Sequence, residues 1–264
     1  MDDFKELPLY RSYLGWIKIL GKRLFFPGLD IHARSRYRFL PQFFIPGSID
    51  TLDAGCGNGA LGYAAYKLGN RVLGITGDVS QVERNRIFFS AINADSKRLS
   101  FEVLNLYNLP RLNLKFDQII CSETLEHIKD DRAIIGYFYD ILRPKGVLHL
   151  CCPFALHPKN NLGRIDLPEN GGHVRDGYTI RSLKELLEPR GFQIVKTAGL
   201  GSPLIVKLDN FLRFIRNTAG DLLALPFFLP MWPFLKLDYL NPSVPLSLYM
   251  KAVKVELVEN RKVG

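Results

Sequence analysis

The chain has 264 residues, 47% of them hydrophobic, four cysteines and a formal net charge of +9. That much apolar sequence builds a sizeable core, which excludes a disordered tail or a disulfide-stapled miniprotein. With no C-x-x-C pair, a zinc knuckle is excluded too and a reduced, cytoplasmic protein is expected. The positive balance favours an anionic partner such as nucleic acid, anionic lipid or an acidic small molecule, and equally suits a solubilising surface charge.

The N-terminus, with Asp2 and Asp3, lacks the basic start of a signal peptide. Tyr13, Trp16, Ile17 and Leu20 recur at helical spacing, so residues 1–47 read as a helical cap. Pro41, Pro46 and Gly47 then punctuate the way into a core domain over 48–264. From Ile49 strands and helices alternate. SIDTLDAG is a strand, ALGYAAYKLG a helix, RVLGIT a strand and SQVERNRIFFSAINA a helix. LSFEVLNL and FDQIICSE are strands, DRAIIGYFYDILRPKG a helix closed by Pro144 and Gly146, and GVLHLCCP a strand buried on both faces. Such alternation predicts an α/β fold with a Rossmann-like, mostly parallel sheet covered by helices on both faces.

After Pro153 comes a long Gly/Asn-rich loop with the length of a functional lid. Thr179 is placed to cap the next helix, and FQIVKTAG and SLYMKAVKVEL read as the last two strands. Between those strands lies an apolar insertion over 203–246. Its first part puts Leu208, Phe211, Leu212 and Ile215 on one helical face, with Lys207, Arg213 and Arg216 toward other sides. Its second part, LLALPFFLPMWPFL, is too short to span a bilayer, and Pro226, Pro230 and Pro233 are expected to break it as a helix. Phe227, Phe228, Trp232 and Phe234 make it a bulky apolar surface. Three roles stay open for it: a hydrophobic cap over the active site, a patch lying on anionic lipid, or an accessory core.

The chemistry is concentrated in TLDAGCGNGALG. Glycines 55, 57 and 59 follow a strand, as in a phosphate cradle, but Asp53 would repel a pyrophosphate there. The spacing is GxGxG rather than GxGxxG, the second strand ends on Thr76 rather than an acid, and no GK[ST] follows. A dinucleotide or nucleoside triphosphate is therefore disfavoured. S-adenosylmethionine (SAM) carries an adenosine and two cationic groups without a phosphate, so Asp53 suits it as a counter-charge.

LDAGCGNG resembles the first motif of class I SAM-dependent methyltransferases, and the resemblance runs over about residues 49 to 200. GITGDVSQ is similar to the second-strand motif of the cyclopropane-synthase-like branch, with Thr76 and Gln81 at its matching positions and Asp78 where that branch has Ser. FEVLNLYNLP resembles the third-strand motif, with Asn105 in place of an Asp. The resemblance implies a seven-stranded sheet whose last strand is antiparallel, with SAM as methyl donor and S-adenosylhomocysteine as product. It implies cofactor contacts from Asp53, Gly55, Cys56, Gly57, Asn58, Gly59, Thr76, Gln81, Asn105, Leu106, Ser122 and Glu123.

SETLEHI adds Glu123, Glu126 and His127, at spacings that share one face if the segment is helical. It resembles the Glu-Glu-His segment of ubiquinone-type O-methyltransferases and of small-RNA 2′-O-methyltransferases. The latter add a late histidine, for which His173 is placed here. A divalent metal such as Mg²⁺ or Mn²⁺ on Glu123, Glu126, His127 and His173 is one reading; a metal-free turn that contacts substrate is the other. His127 and His173 are the candidate general bases, while His149, inside a strand, reads as structural. Cys56 reads as small-residue packing. The expected acceptor is a small apolar or amphipathic molecule, with O-methylation favoured, and the apolar segments allow peripheral membrane contact. An RNA methyltransferase is the runner-up, lacking any RNA-recognition motif. A non-catalytic SAM-binding scaffold is a third reading, prompted by Thr76 and Asn105.

Overall fold

The structure, a computed structural model, describes residues 13–255; Asp2 and Asp3 lie outside the described residues. Helices α1 (Tyr13–Leu24) and α2 (Ile31–Phe39) precede the sheet. Asp30 starts α2 by accepting from the Ala33 amide, a helix cap written into the sequence.

The sheet alternates with helices as expected: β1 (Asp50–Ala54), α3 (Ala60–Lys67), β2 (Arg71–Thr76), α4 (Val79–Ala91), β3 (Leu99–Val103), β4 (Phe116–Ser122), α5 (Asp131–Ile141) and β5 (Leu142–Pro153). After a long loop come α6 (Ile180–Leu187) and β6 (Phe192–Leu200), then α7 (Pro203–Ala219), α8 (Asp221–Met231) and β7 (Ser247–Lys254). Thr179 caps α6 in a reciprocal capping box with Ser182. The seven strands lie in the order 3-2-1-4-5-7-6. Strands β1 to β5 pair in parallel, and β7 runs antiparallel between β5 and β6. The strand order reverses at β1, so the crevice at the carboxyl ends of β1 and β4 is the switch point where α/β sheets take ligands.

The central strands are apolar on both sides, because each side is covered. Leu52, Ile119, Leu148 and Leu150 pack with α5 and α6, whereas Val72, Phe101, Ile120 and Tyr249 pack with α3 and α4. A third, smaller core joins α2 to the insertion: Ile31 meets Ile205, Leu212, Ala224 and Phe228.

Two expectations change in detail. Helix α5 ends at Ile141, before Pro144, and Arg143 instead ties the start of β5 to Asp50 and Asp117 at 2.8 and 2.7 Å. Helix α8 continues through Pro226 and Pro230, where a break was expected. The two prolines are four apart and so share a face, both are exposed, and water can take the carbonyls their missing N–H groups leave free. Among the described residues no helix is long and apolar enough to cross a membrane.

Candidate functional site

The turn after β1 places Gly55, Gly57 and Gly59 at φ of 77, 48 and 73°, backbone that favours glycine. A Cβ at Gly55 would stand 2.2 Å from Thr124 Oγ1, whereas one at Gly57 would meet nothing within 4 Å. Gly57 is thus the open rim of the cradle. Asn58 fixes that rim, donating to the Pro27 carbonyl at 2.7 Å and accepting from the Ala60 amide at 3.2 Å. Asn85 holds the Gly57 carbonyl at 2.8 Å from below. Cys56 is buried and packed, as expected.

Asp53 sits under the cradle rather than in it. Its Oδ2 accepts from the Gly62 amide at 2.8 Å, in the first turn of α3, and the residue is 3% exposed. Gly62 permits this approach, since a Cβ there would lie 2.8 Å from the same oxygen. Burial outweighs that hydrogen bond and pushes the Asp53 carboxyl up to about 7.

The neighbouring strand ends carry the other residues singled out for the cofactor. Thr76 ends β2, with Oγ1 accepting from the Asp78 amide at 3.3 Å. Asp78 caps α4 by accepting from the Gln81 amide, and Gln81 donates to Asn85 at 2.9 Å. After β3, exposed Asn105 accepts from the Tyr107 amide at 2.9 Å, and Leu106 is buried beside it. Ser122 ends β4 with its Oγ buried and unpartnered. The structure therefore gathers this set along the carboxyl edge of β1 to β4.

Glu123 departs from the shared-face arrangement. Only Leu125–His127 form a helical turn, a 3-10 one, and Glu123 precedes it at φ 51°. Its carboxylate turns toward α2 and β7 instead: Oε1 accepts from Ser247 Oγ at 2.8 Å, and Oε2 lies 3.7 Å from Arg36 Nη1. The other three come together. Ligand atoms of Glu126, His127 and His173 lie within 4.8 Å of one another. Glu126 is fully buried, and neither of its oxygens has a hydrogen-bond partner. Burial, then Glu123, raises its carboxyl well above the usual range. His127 Nδ1 donates to the Gly172 carbonyl at 3.0 Å, and its Nε2 lies 3.9 Å from Glu126 Oε1. His173 Nε2 is 4.0 Å from the same oxygen. Burial, helped by His127 and Arg164, lowers His173 to about 4. A buried carboxyl without hydrogen-bond partners, grouped with two imidazoles, is a donor set that suits a divalent cation.

His149 is structural, bridging Tyr249 and Gln118 at 2.8 and 3.0 Å within the sheet. The sequence reading missed His32, Arg36 and Ser247, which face Glu123 from α2 and β7. The sequence signal for the first two is weak, because His32 and Arg36 stand four apart on a helix with further basic or hydroxyl side chains, Arg34, Ser35 and Arg38, that mask them. The long loop after β5 is tied to the insertion, where Lys159 donates to buried Asp209 of α7 at 2.7 Å.

A family model described as a methyltransferase domain matches residues 30–197. A ubiquinone biosynthesis O-methyltransferase from Xanthomonas campestris pv. campestris is 34% identical over 187 residues, covering 66% of this chain and 76% of that protein. The mitochondrial enzyme of that name from Rattus norvegicus is 27% identical over 157 residues, 56% of this chain. The chain spans about half the length of some relatives, 46% of the rat protein and 54% of a methyltransferase-named protein from Mycolicibacterium smegmatis. Among solved structures, phosphoethanolamine N-methyltransferase 2 from Haemonchus contortus, in complex with SAM, superposes with a TM-score of 0.58. It is 15% identical, with 96% of this chain and 60% of that one covered, a likeness of fold. With the family model lying across most of the sheet and the glycine turn at its switch point, the chain belongs to the class I SAM-dependent methyltransferases.

Proposed function

We propose that this methyltransferase acts on a hydroxyl group of a small apolar or amphipathic molecule, with Glu126, His127 and His173 holding a divalent metal beside it. The observation that carries this reading is the fully buried, unpartnered Glu126 carboxylate flanked by two imidazoles, close to the end of β4. Such a cation lowers the pKa of a bound hydroxyl and orients it, which favours oxygen over other acceptor atoms. Glu123 lies outside this set, engaged by Ser247 and Arg36. The names of the ubiquinone O-methyltransferase relatives support oxygen as the acceptor atom.

SAM, when bound, supplies an activated methyl group whose departure leaves a neutral thioether. The chain's own part is to hold and align it: the Gly55–Gly59 turn would take the adenosyl moiety, Thr76 and Gln81 would hold the ribose, and Asn105 and Leu106 the base. Ser122 and the buried Asp53 stand toward the methionine end, the latter as a counter-charge from beneath. Within the proposed 1–47 cap, the described helix α2 packs on the 203–246 insertion. That pairing gathers apolar side chains from α2, α7 and α8, which suits an acceptor with a hydrocarbon part.

Labelled SAM with either dodecyl gallate, which offers hydroxyls, or dodecylamine, each with Mg²⁺ or with EDTA, tests the proposal. Label on the gallate, lost with EDTA and in Glu126→Gln, is the expected result. Transfer to the amine alone sinks the hydroxyl reading. Gallate methylation that EDTA leaves unchanged sinks the metal.

A further inference from the structure

Opposite Glu123, α2 carries a histidine that no motif marks. His32 is 6% exposed, and four residues on comes Arg36, so both project from one face of the helix toward the end of β4. His32 Nε2 lies 2.9 Å from Ser247 Oγ, and Ser247 Oγ donates to Glu123 Oε1 at 2.8 Å. A serine hydroxyl has one hydrogen to give. Once that hydrogen goes to the Glu123 carboxylate, Ser247 can only accept from His32. Nε2 therefore carries the ring proton, and Nδ1 presents a bare lone pair. That Nδ1 is buried and has no hydrogen-bond partner. A buried acceptor without a donor is costly, and the cost is recovered when a donor arrives. A hydroxyl about to be methylated is such a donor, because it must lose its proton as its oxygen bonds to carbon.

We propose that His32 is the general base of the methyl transfer, taking the acceptor's hydroxyl proton on Nδ1, with Ser247 and Glu123 as positioning residues that fix its tautomer. The inference rests on the hydroxyl reading above. The acceptor's O–H bond breaks and its proton passes to Nδ1. The oxygen forms a bond to the methyl carbon, and the carbon–sulfur bond breaks with its electron pair left on sulfur. The products are a methyl ether, a neutral thioether and an imidazolium, which then returns its proton to solvent. Through Ser247 the imidazolium faces Glu123, whose Oε2 is also 3.9 Å from Nε2.

The ring's surroundings keep it in the basic form. Asp30 and Arg36 face it from α2, Glu123 from the end of β4, Lys159 from the lid and Arg213 from α7. Burial first, then Arg36, with Lys159 and Arg213 adding to them, hold His32 well below the ordinary imidazole range against the pull of Asp30. The ring is thus neutral at neutral pH, ready to accept. The two histidines beside Glu126 differ from it, since His127 is committed to Gly172 and both imidazoles converge on the carboxylate.

Two measurements test this. Nitrogen-15 NMR of the free chain with labelled histidine reads the tautomer without an acceptor, His32→Gln identifying the signal. Nδ1 unprotonated and Nε2 protonated at about pH 6 to 8 is expected, with Ser247→Ala mixing the tautomers; a protonated Nδ1 in the wild type overturns the proposal. Single-turnover transfer from SAM to dodecyl gallate is the second. His32→Gln keeps an N–H for Ser247 and should slow transfer by about 100-fold or more. SAM affinity by calorimetry should stay within about threefold. Ser247→Ala should slow transfer by about tenfold and move the acid limb of the rate–pH profile. Equal rates in His32→Gln and wild type overturn the base and leave O-methylation standing. A wild type that methylates only dodecylamine overturns both.

Discussion

Asp53 shows how a local motif and its surroundings can pull apart. Next to the glycines its charge marks a cationic, phosphate-free ligand, and that much is legible within a dozen residues. Its burial is not, because it depends on Gly62 letting the α3 amide come within 2.8 Å. The folded carboxyl is raised to about 7 from 3.8, so its stabilising effect is complete below the unfolded value and fades as pH climbs through about 7. About three units at about 1.4 kcal/mol each bound the effect at about 4 kcal/mol, with relaxation reducing it. Asp53→Asn keeps an oxygen for Gly62 and loses the titration. Relative to wild type it should therefore gain melting temperature between about pH 5 and pH 8. Parallel melting temperatures for the two proteins across that range would refute the buried titration. A cation bound near the turn favours the carboxylate. Calorimetry in buffers of different ionisation enthalpy should accordingly find proton release with SAM in the wild type and none in the Asn variant. His32, Arg36 and Ser247 escaped the sequence reading for a plainer reason. His32 and Ser247 are 215 positions apart, and only the folded sheet joins them.

At the level of elements, the strands and helices of the sheet were legible because each carries its own period, even where its end, as in α5, falls short of the expected proline. The proline-rich α8 was not, since the rule that proline breaks helices assumes a buried or continuous hydrogen-bond ladder. Here the prolines lie on the wet side and Phe228 on the dry one, fully buried against Phe25 at 6.2 Å and Trp232 at 5.4 Å. Arg34 covers the same ring at 4.7 Å. The cap core is small and separate from the two cores that clasp the sheet, so its loosening need not unfold the rest. Phe228→Ala should cost the cap about 3–5 kcal/mol by cavity formation. Amides of α7 and α8 should then exchange with deuterium far faster while those of β1, β4 and β5 keep their protection. Uniform loss across the sheet would show that the cap and the sheet fold as one unit.

For the whole molecule, the alternation of elements announced a parallel sheet, and the resemblance added the antiparallel last strand that sits between β5 and β6. What covers the apolar outside of the cap was left open, and the structure sharpens the question. Leu222 is 82% exposed and Phe214 66%, and Phe211, Leu223, Phe227, Leu229 and Phe234 are exposed around them. Singly such residues mean little, but a run of them along α7, α8 and the following turn exceeds what a free surface usually shows. Lys207, Arg213 and Lys236 are exposed on the same insertion, and the chain as a whole carries +9. Aromatic and aliphatic side chains interleaved with cations are the composition of a helix pair lying in a lipid interface, with anionic headgroups meeting the bases. An amphipathic acceptor dissolved in that interface would then reach the cap without crossing water. We predict that the protein cosediments with phosphatidylglycerol vesicles and much less with phosphatidylcholine ones, binding falling as salt rises. Phe214→Asp with Leu222→Asp should abolish cosedimentation while SAM affinity is unchanged, because neither side chain reaches the glycine turn. Should the double variant instead convert a dimer to a monomer and leave vesicle binding as it was, a second copy of the chain, and not a membrane, covers this face.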